Sequence, residues 1–206
     1  METLQQTDLK DILNDSIQKS MSYKEYRNLV TQLVEEKATT GAEQTETLTE
    51  YTMLNNRRMK RWDKTLKVPE VAKVRIKDIK TDATWLVLAE SWCGDAAHIL
   101  PVINKVAELN KNIDFKVVLR DENEALMNRF LTHGGKSIPK LIMIDNTSGE
   151  VLSTFGPRPS SATNLVNEYK EKHGKLTPEF KEELQHWYNK DKGQTTIEDL
   201  MTLIEN

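Results

Sequence analysis

Cys93 is the one cysteine among 206 residues, and its surroundings make it the first candidate for chemistry. It follows the continuous apolar run Trp85-Leu86-Val87-Leu88-Ala89, a pattern that fits a strand covered on both faces. After it, Ile99, Leu100, Ile103, Val106 and Ala107 recur at helical spacing, which predicts a helix from Cys93 to Leu109 with Pro101 kinking it. A cysteine at the first turn of a helix sits among free backbone N–H groups. Those donors and the helix dipole favour the thiolate, the nucleophilic form. Gly94 then leaves room for a partner chain to approach. The plain alternative is an inert buried cysteine that packs as a small hydrophobe.

A second feature lies far along the chain. Ser137-Ile138-Pro139 follows the flexible pair Gly134-Gly135 and opens another apolar run. Proline is tolerated at a strand start. A cis bond before Pro139 would fix a bend beside the head of the Cys93 helix, and the Ile138 backbone would then offer an edge to an extended peptide. Trp92 reads as a surface aromatic beside the cysteine. Asp95 reads as a helix-start charge, with a general base as the alternative. His98 falls mostly around the helix from Cys93. Arg158, in the rigid Phe155-Gly156-Pro157-Arg158-Pro159 turn, either touches an anion or simply belongs to the turn. Arg57, Arg58, Lys60, Arg61 and Lys64 form a basic cluster. With Glu43, Glu46 and Glu50 nearby, they read as a solvated helix face before a phosphate or nucleic-acid patch.

The elements that must position these residues follow from periodicity. Tyr23, Tyr26, Val30, Leu33 and Val34 mark a helix with Ser22 as N-cap, broken by Gly41. Leu48, Tyr51, Met59, Trp62 and Leu66 mark a second helix that ends at Pro69. Residues 70–80 fit a short helix or a strand. Beyond the first strand and the Cys93 helix come a strand at Ile113–Leu119, a helix at Asn123–Leu131 and a strand at Lys140–Asp145. The turn Asn146-Thr147-Ser148-Gly149 leads to a strand at Glu150–Phe155 and a helix at Ala162–Lys172 ending at Gly174. Strand, helix and strand imply a right-handed parallel pair, and the tight turn implies an antiparallel one. Helices at Thr177–Asn189 and Thr196–Glu205 close the chain, the first opened by Thr177-Pro178.

This arrangement resembles the thioredoxin superfamily, whose site is Trp-Cys-Gly-Pro-Cys with a distant cis Ile-Pro. Trp92, Cys93 and Gly94 match the first three positions, Ile138-Pro139 the second motif, and Pro101 the proline within the active-site helix. The resemblance covers about residues 80–174. It implies an α/β thioredoxin-like fold, a mixed four-stranded sheet with flanking helices. Three segments are expected: an N-terminal helical extension packed on the core (1–68), the thioredoxin-like domain (69–174) and a C-terminal helical extension (175–206). Asp95 replaces the proline of the motif and Ala96 its second cysteine, so no internal dithiol–disulfide cycle can run. Val87 occupies the place where thioredoxins carry a buried acid.

Composition bounds the function. With 32 acidic and 29 basic side chains, the net charge of −3 gives no general pull toward nucleic acid or membrane. No run of about 18 apolar residues predicts a membrane span. A polar Met1–Lys10 segment and a single cysteine suit the reducing cytoplasm. The four histidines lack metal-ligand spacing, so neither a metal nor a cofactor is expected. Two functions remain. One is a monothiol thiol–disulfide oxidoreductase or thiol transferase in which Cys93 attacks a protein or small-molecule disulfide. Trp92, Gly94, Asp95, Ile138 and Pro139 would then border the substrate. The other is a non-catalytic module that binds a peptide or protein partner in the groove beside Ile138-Pro139.

Overall fold

The computed structural model describes residues 2–204, with side chains described from Leu9 onward. Glu205, the expected end of the last helix, lies outside the described residues. The chain begins with α1 (Glu2–Gln18), β1 (Met21–Ser22), α2 (Tyr23–Glu35), α3 (Glu46–Thr65) and α4 (Glu70–Asp78). It continues with β2 (Ala83–Ala89), α5 (Gly94–Ala107), β3 (Ile113–Leu119), α6 (Glu124–Arg129), β4 (Lys140–Asp145) and β5 (Val151–Phe155). Three helices end it, α7 (Ser160–His173), α8 (Pro178–Asp191) and α9 (Gln194–Ile204).

Local chemistry accounts for the helix ends. Ser22 accepts from the Glu25 N–H, and the Glu25 carboxylate accepts from the Ser22 N–H, so a capping box opens α2. Thr45 caps α3 and Thr177 caps α8, with Pro178 in the first turn. Gly174 ends α7 at φ 75°. Residues 70–78, open between helix and strand in the sequence, are helical, with Ala72 and Ile76 turned inward.

The sheet has five strands in the order β1-β3-β2-β4-β5, not the four expected from the sequence. The addition is β1, where Met21 and Ser22 pair antiparallel with Val117 and Lys116 on the edge of β3. Two residues are too short for any periodicity to mark. The rest follows the expected topology: β2 parallel to β3, and β4 antiparallel to both β2 and β5. Every residue of β2 is buried, so the centre of the sheet is covered on both faces. Leu86, Val87, Val117 and Ile142 have no exposed surface, and Leu88, Val118 and Leu141 are buried with them.

The N-terminal helices share this core. Tyr26, Val30, Met59 and Trp62 are buried in the same apolar cluster as the strands, and α3 lies along α5. The hydrophobic term is therefore common to both parts of the chain. Met59→Ala is expected to lower unfolding free energy by about 2–5 kcal/mol, comparable to Leu86→Ala in the central strand. Urea denaturation with one cooperative transition in each variant checks this. A near-zero effect of Met59→Ala would show that the N-terminal helices sit loosely on the sheet.

Candidate functional site

β2 delivers the chain to the site and a hydroxyl cluster holds it there. Ser91 Oγ lies 2.8 Å from Thr52 Oγ1 and 3.1 Å from Thr39 Oγ1, and accepts from the Thr40 N–H at 3.0 Å. The Ser91 N–H donates to Thr40 Oγ1 at 2.9 Å. Its carbonyl accepts from Asn55 Nδ2 at 2.9 Å. All these groups are buried, so each bond replaces one that water would otherwise make. The turn between β2 and α5 is thereby tied to the segment after α2 and to α3. Next to it, Trp92 is half-buried with the Arg120 guanidinium 4.9 Å from its ring centroid.

Cys93 caps α5. The Ala96 N–H donates to Sγ at 3.4 Å, and the thiol donates to the Ile138 carbonyl at 3.3 Å. The Ile138–Pro139 bond is cis, and the Ile138 carbonyl lies against the Cys93 sulfur. Gly156, at φ 110°, lets the chain pass close to this bend, since a Cβ there would clash with the Pro139 carbonyl oxygen. Cys93 is 8% exposed. Burial pushes its thiol up to about 12, Asp95 adds to the rise, and the amides of Ala96 and Asp95 oppose it. The sequence suggested an accessible, activated thiol. The structure gives a buried, neutral one, because removing water from the sulfur outweighs the helix-start amides.

Asp95 does more than supply a helix-start charge. Its carboxylate pairs with Arg158 Nη2 at 2.7 Å and accepts from Tyr188 Oη at 2.8 Å. Arg158 therefore meets an anion of its own chain. Burial nevertheless raises the Asp95 carboxyl above its ordinary value, ahead of the lowering by Arg158 and Tyr188. Tyr188 stacks on His98 with centroids 4.4 Å apart. His98 is buried away from Cys93, and burial holds it down to about 3, so it is neutral. Trp62 Nε1–H donates to His98 Nδ1 at 2.9 Å, so the imidazole proton sits on Nε2 and donates to Gln185 Oε1 at 2.8 Å.

A groove of about 650 Å³ opens onto Cys93, with α3 residues such as Tyr51 and Leu54 and α8 residues such as Leu184 and Gln185 as its walls. It is bordered by Trp92, Gly94, Asp95 and Arg158, whereas Ile138 and Pro139 lie behind the sulfur rather than along the groove. The basic cluster divides: Arg58 turns into the groove, Arg61 donates to Asn189 on α8, and Arg57 and Lys60 are exposed. Sequence reading missed Glu90, a fully buried acid three residues before Cys93. Its Oε1 accepts from the Asp121 N–H, and burial raises its carboxyl. The lone acid directly after an apolar run was the available signal. Gln185 and Tyr188 were also missed, because nothing local links α8 to Cys93. Among the described residues, no group of three His, Cys, Asp or Glu is placed to hold a metal, and no helix is long and apolar enough to cross a membrane.

A family model described as thioredoxin matches residues 41–170. The chain belongs to the thioredoxin family. Two solved structures resemble this thioredoxin-family protein over 90% of its chain and 98% of theirs. One is a protein of unknown function from Pseudomonas aeruginosa, 17% identical with a TM-score of 0.56. The other is an HIV epitope scaffold, 19% identical with a TM-score of 0.55. At such identity the likeness speaks for the fold alone. No curated protein matches the chain.

The Asp95 charge bears directly on the thiol of this thioredoxin-family protein. Asp95→Asn keeps the side-chain shape and removes an anion that opposes ionisation, so the Cys93 pKa should fall from about 12. The midpoint of the alkylation rate against pH measures it. A midpoint that stays put or rises contradicts the assigned influence of Asp95.

Proposed function

We propose that this protein is a monothiol thiol–disulfide oxidoreductase or thiol transferase with Cys93 as the attacking residue. The observation that carries the reading is the place of Sγ, at the head of α5, against the Ile138 carbonyl and at the floor of a groove open to solvent. In the reaction, Cys93 loses its proton and its thiolate attacks one sulfur of a disulfide. The disulfide bond breaks, a mixed disulfide forms on Cys93, and the departing thiolate takes up a proton. An external thiol then attacks the mixed disulfide in the same way and regenerates Cys93. Ala96 stands where a second cysteine would complete this step internally. A reducing cytoplasm would supply the external thiol.

The thiol pKa sets the tempo. Near neutral pH only a very small fraction of Cys93 is thiolate, although a thiolate of high pKa is intrinsically more nucleophilic. The groove has to offset the difference by proximity, holding the disulfide against the sulfur so that attack is effectively unimolecular. Trp92, Gly94 and Asp95 border the bound substrate, and the backbone at Ile138-Pro139 positions the sulfur. In this reading, segments 1–68 and 175–206 are extensions of a thioredoxin-like domain at 69–174, and they build the two walls of the groove.

A second reading, a binding module without catalysis, is favoured by the burial and raised pKa of Cys93. Disulfide reduction with and without an added monothiol separates the two. The exchange reading predicts turnover that needs the monothiol, climbs steeply with pH above neutrality and vanishes in Cys93→Ser. Activity that survives Cys93→Ser would overturn the role given to Cys93, and an inert wild type at every pH up to 10 would leave the binding module as the function.

A further inference from the structure

Two hydrogen-bond donors converge on Gly94 beside the thiol, and the chain gives neither an anionic partner. A Cβ placed on Gly94 would stand 3.6 Å from Arg58 Nη1 and 3.9 Å from Gln185 Nε2. Arg58 is held by one neutral bond, to Asn55 Oδ1 at 2.9 Å. Asn55 is itself fixed, fully buried and bonded to the Ser91 carbonyl. Among the described residues Arg58 forms no ion pair. Asp95, the carboxylate that acts on it from a distance, is engaged by Arg158 and Tyr188. Partial burial lowers the Arg58 pKa, which marks a guanidinium with less water around it than an exposed one has.

The orientation of Gln185 is set from the core outward. The indole N–H of Trp62 can only donate, so it fixes the His98 tautomer. His98 Nε2–H then takes the Gln185 carbonyl oxygen. The Gln185 amide must therefore turn its NH₂ away from His98, toward Gly94. That NH₂ has no acceptor among the described residues. A cation and an amide donor are thus fixed in advance from opposite walls of the groove, α3 and α8, and both border the space that reaches Cys93.

We infer that Arg58 and Gln185 form a carboxylate subsite, and that the substrate is a small thiol or disulfide carrying a carboxylate close to its sulfur. This rests on the thiol-exchange reading. A carboxylate matches the guanidinium fork and accepts from the amide as well. On the rim Lys181 stands next to Glu182, so the rim adds little net charge and the discrimination rests on Arg58 and Gln185. The groove volume of about 650 Å³ suits a small molecule rather than a folded domain.

Two small disulfides test the subsite. Dithiodipropionate carries two carboxylates, and hydroxyethyl disulfide is neutral. Mass spectrometry follows the rate at which each forms a mixed disulfide on Cys93 of the full chain. The expected wild-type rate ratio favours dithiodipropionate by about tenfold or more, the range of a hydrogen-bonded charge. Arg58→Met should collapse that ratio, Gln185→Leu should reduce it, and Arg58→Lys should retain part of it. Lys181→Met, which removes an exposed charge from the rim, should change it little. A wild-type ratio near one overturns the subsite and leaves the exchange reading standing. So does an equal fall in Arg58→Met and Lys181→Met, which would mark a diffuse field instead of a site. Failure of both disulfides to modify Cys93 overturns the exchange reading, and the subsite with it. The wild-type ratio decides even where a variant does not fold.

Discussion

Asp95 carries a charge into a place where water scarcely reaches, since its side chain is 11% exposed. It is tolerated there because Arg158 and Tyr188 meet both of its oxygens. That meeting joins three parts of the chain: the head of α5, the turn after β5 and the last turn of α8. It brings α8 over Cys93, and with α8 come Gln185 and one wall of the groove. Tyr188 in turn stacks on His98, and His98 bonds Trp62 on α3, so the opposite wall is set by the same chain of contacts. Loss of the Asp95 pair would leave an unpaired guanidinium and loosen both walls together.

The same carboxylate shapes the chemistry. A helix start normally favours a cysteine thiolate. Here Sγ accepts from the Ala96 amide, yet burial and the Asp95 charge together keep the thiol protonated. The neutral thiol is well satisfied, with the Ile138 carbonyl as its acceptor. In the proposed exchange, reaction would therefore begin from a resting state that resists ionisation, and attack would depend on what occupies the groove. The price is a low thiolate fraction near neutral pH.

Much of this fold was legible along the chain. The strands β3 and β4 start and end where the apolar runs do, and Ser22, Gly174 and Thr177 mark helix ends by local chemistry alone. The Cys93 and Ile138-Pro139 motifs were legible for the same reason, since each is a short string of residues. The two-residue β1 was not, because pairing with β3 and not periodicity makes it a strand. Arg158 was seen, but its partner was not, since 63 positions separate it from Asp95. Arg58 looked like one member of a solvated face. Only the packing of α3 against α5 turns it toward Gly94 while Lys60 stays in water. Glu90 shows the same limit: its burial depends on the Asp121 segment folding over it. Local patterns set the elements, and contacts between distant elements set the site.

Cys93 rests as a neutral thiol at the floor of the groove. Thiolate absorbance in the far ultraviolet, recorded against pH as the difference between wild type and Cys93→Ser, measures its ionisation directly. No Cys93 thiolate signal is expected through pH 9, with a rise only well above it, toward about 12. A transition at or below the ordinary range for a free cysteine, about 8.5, would contradict it and show a thiol already activated before any substrate arrives.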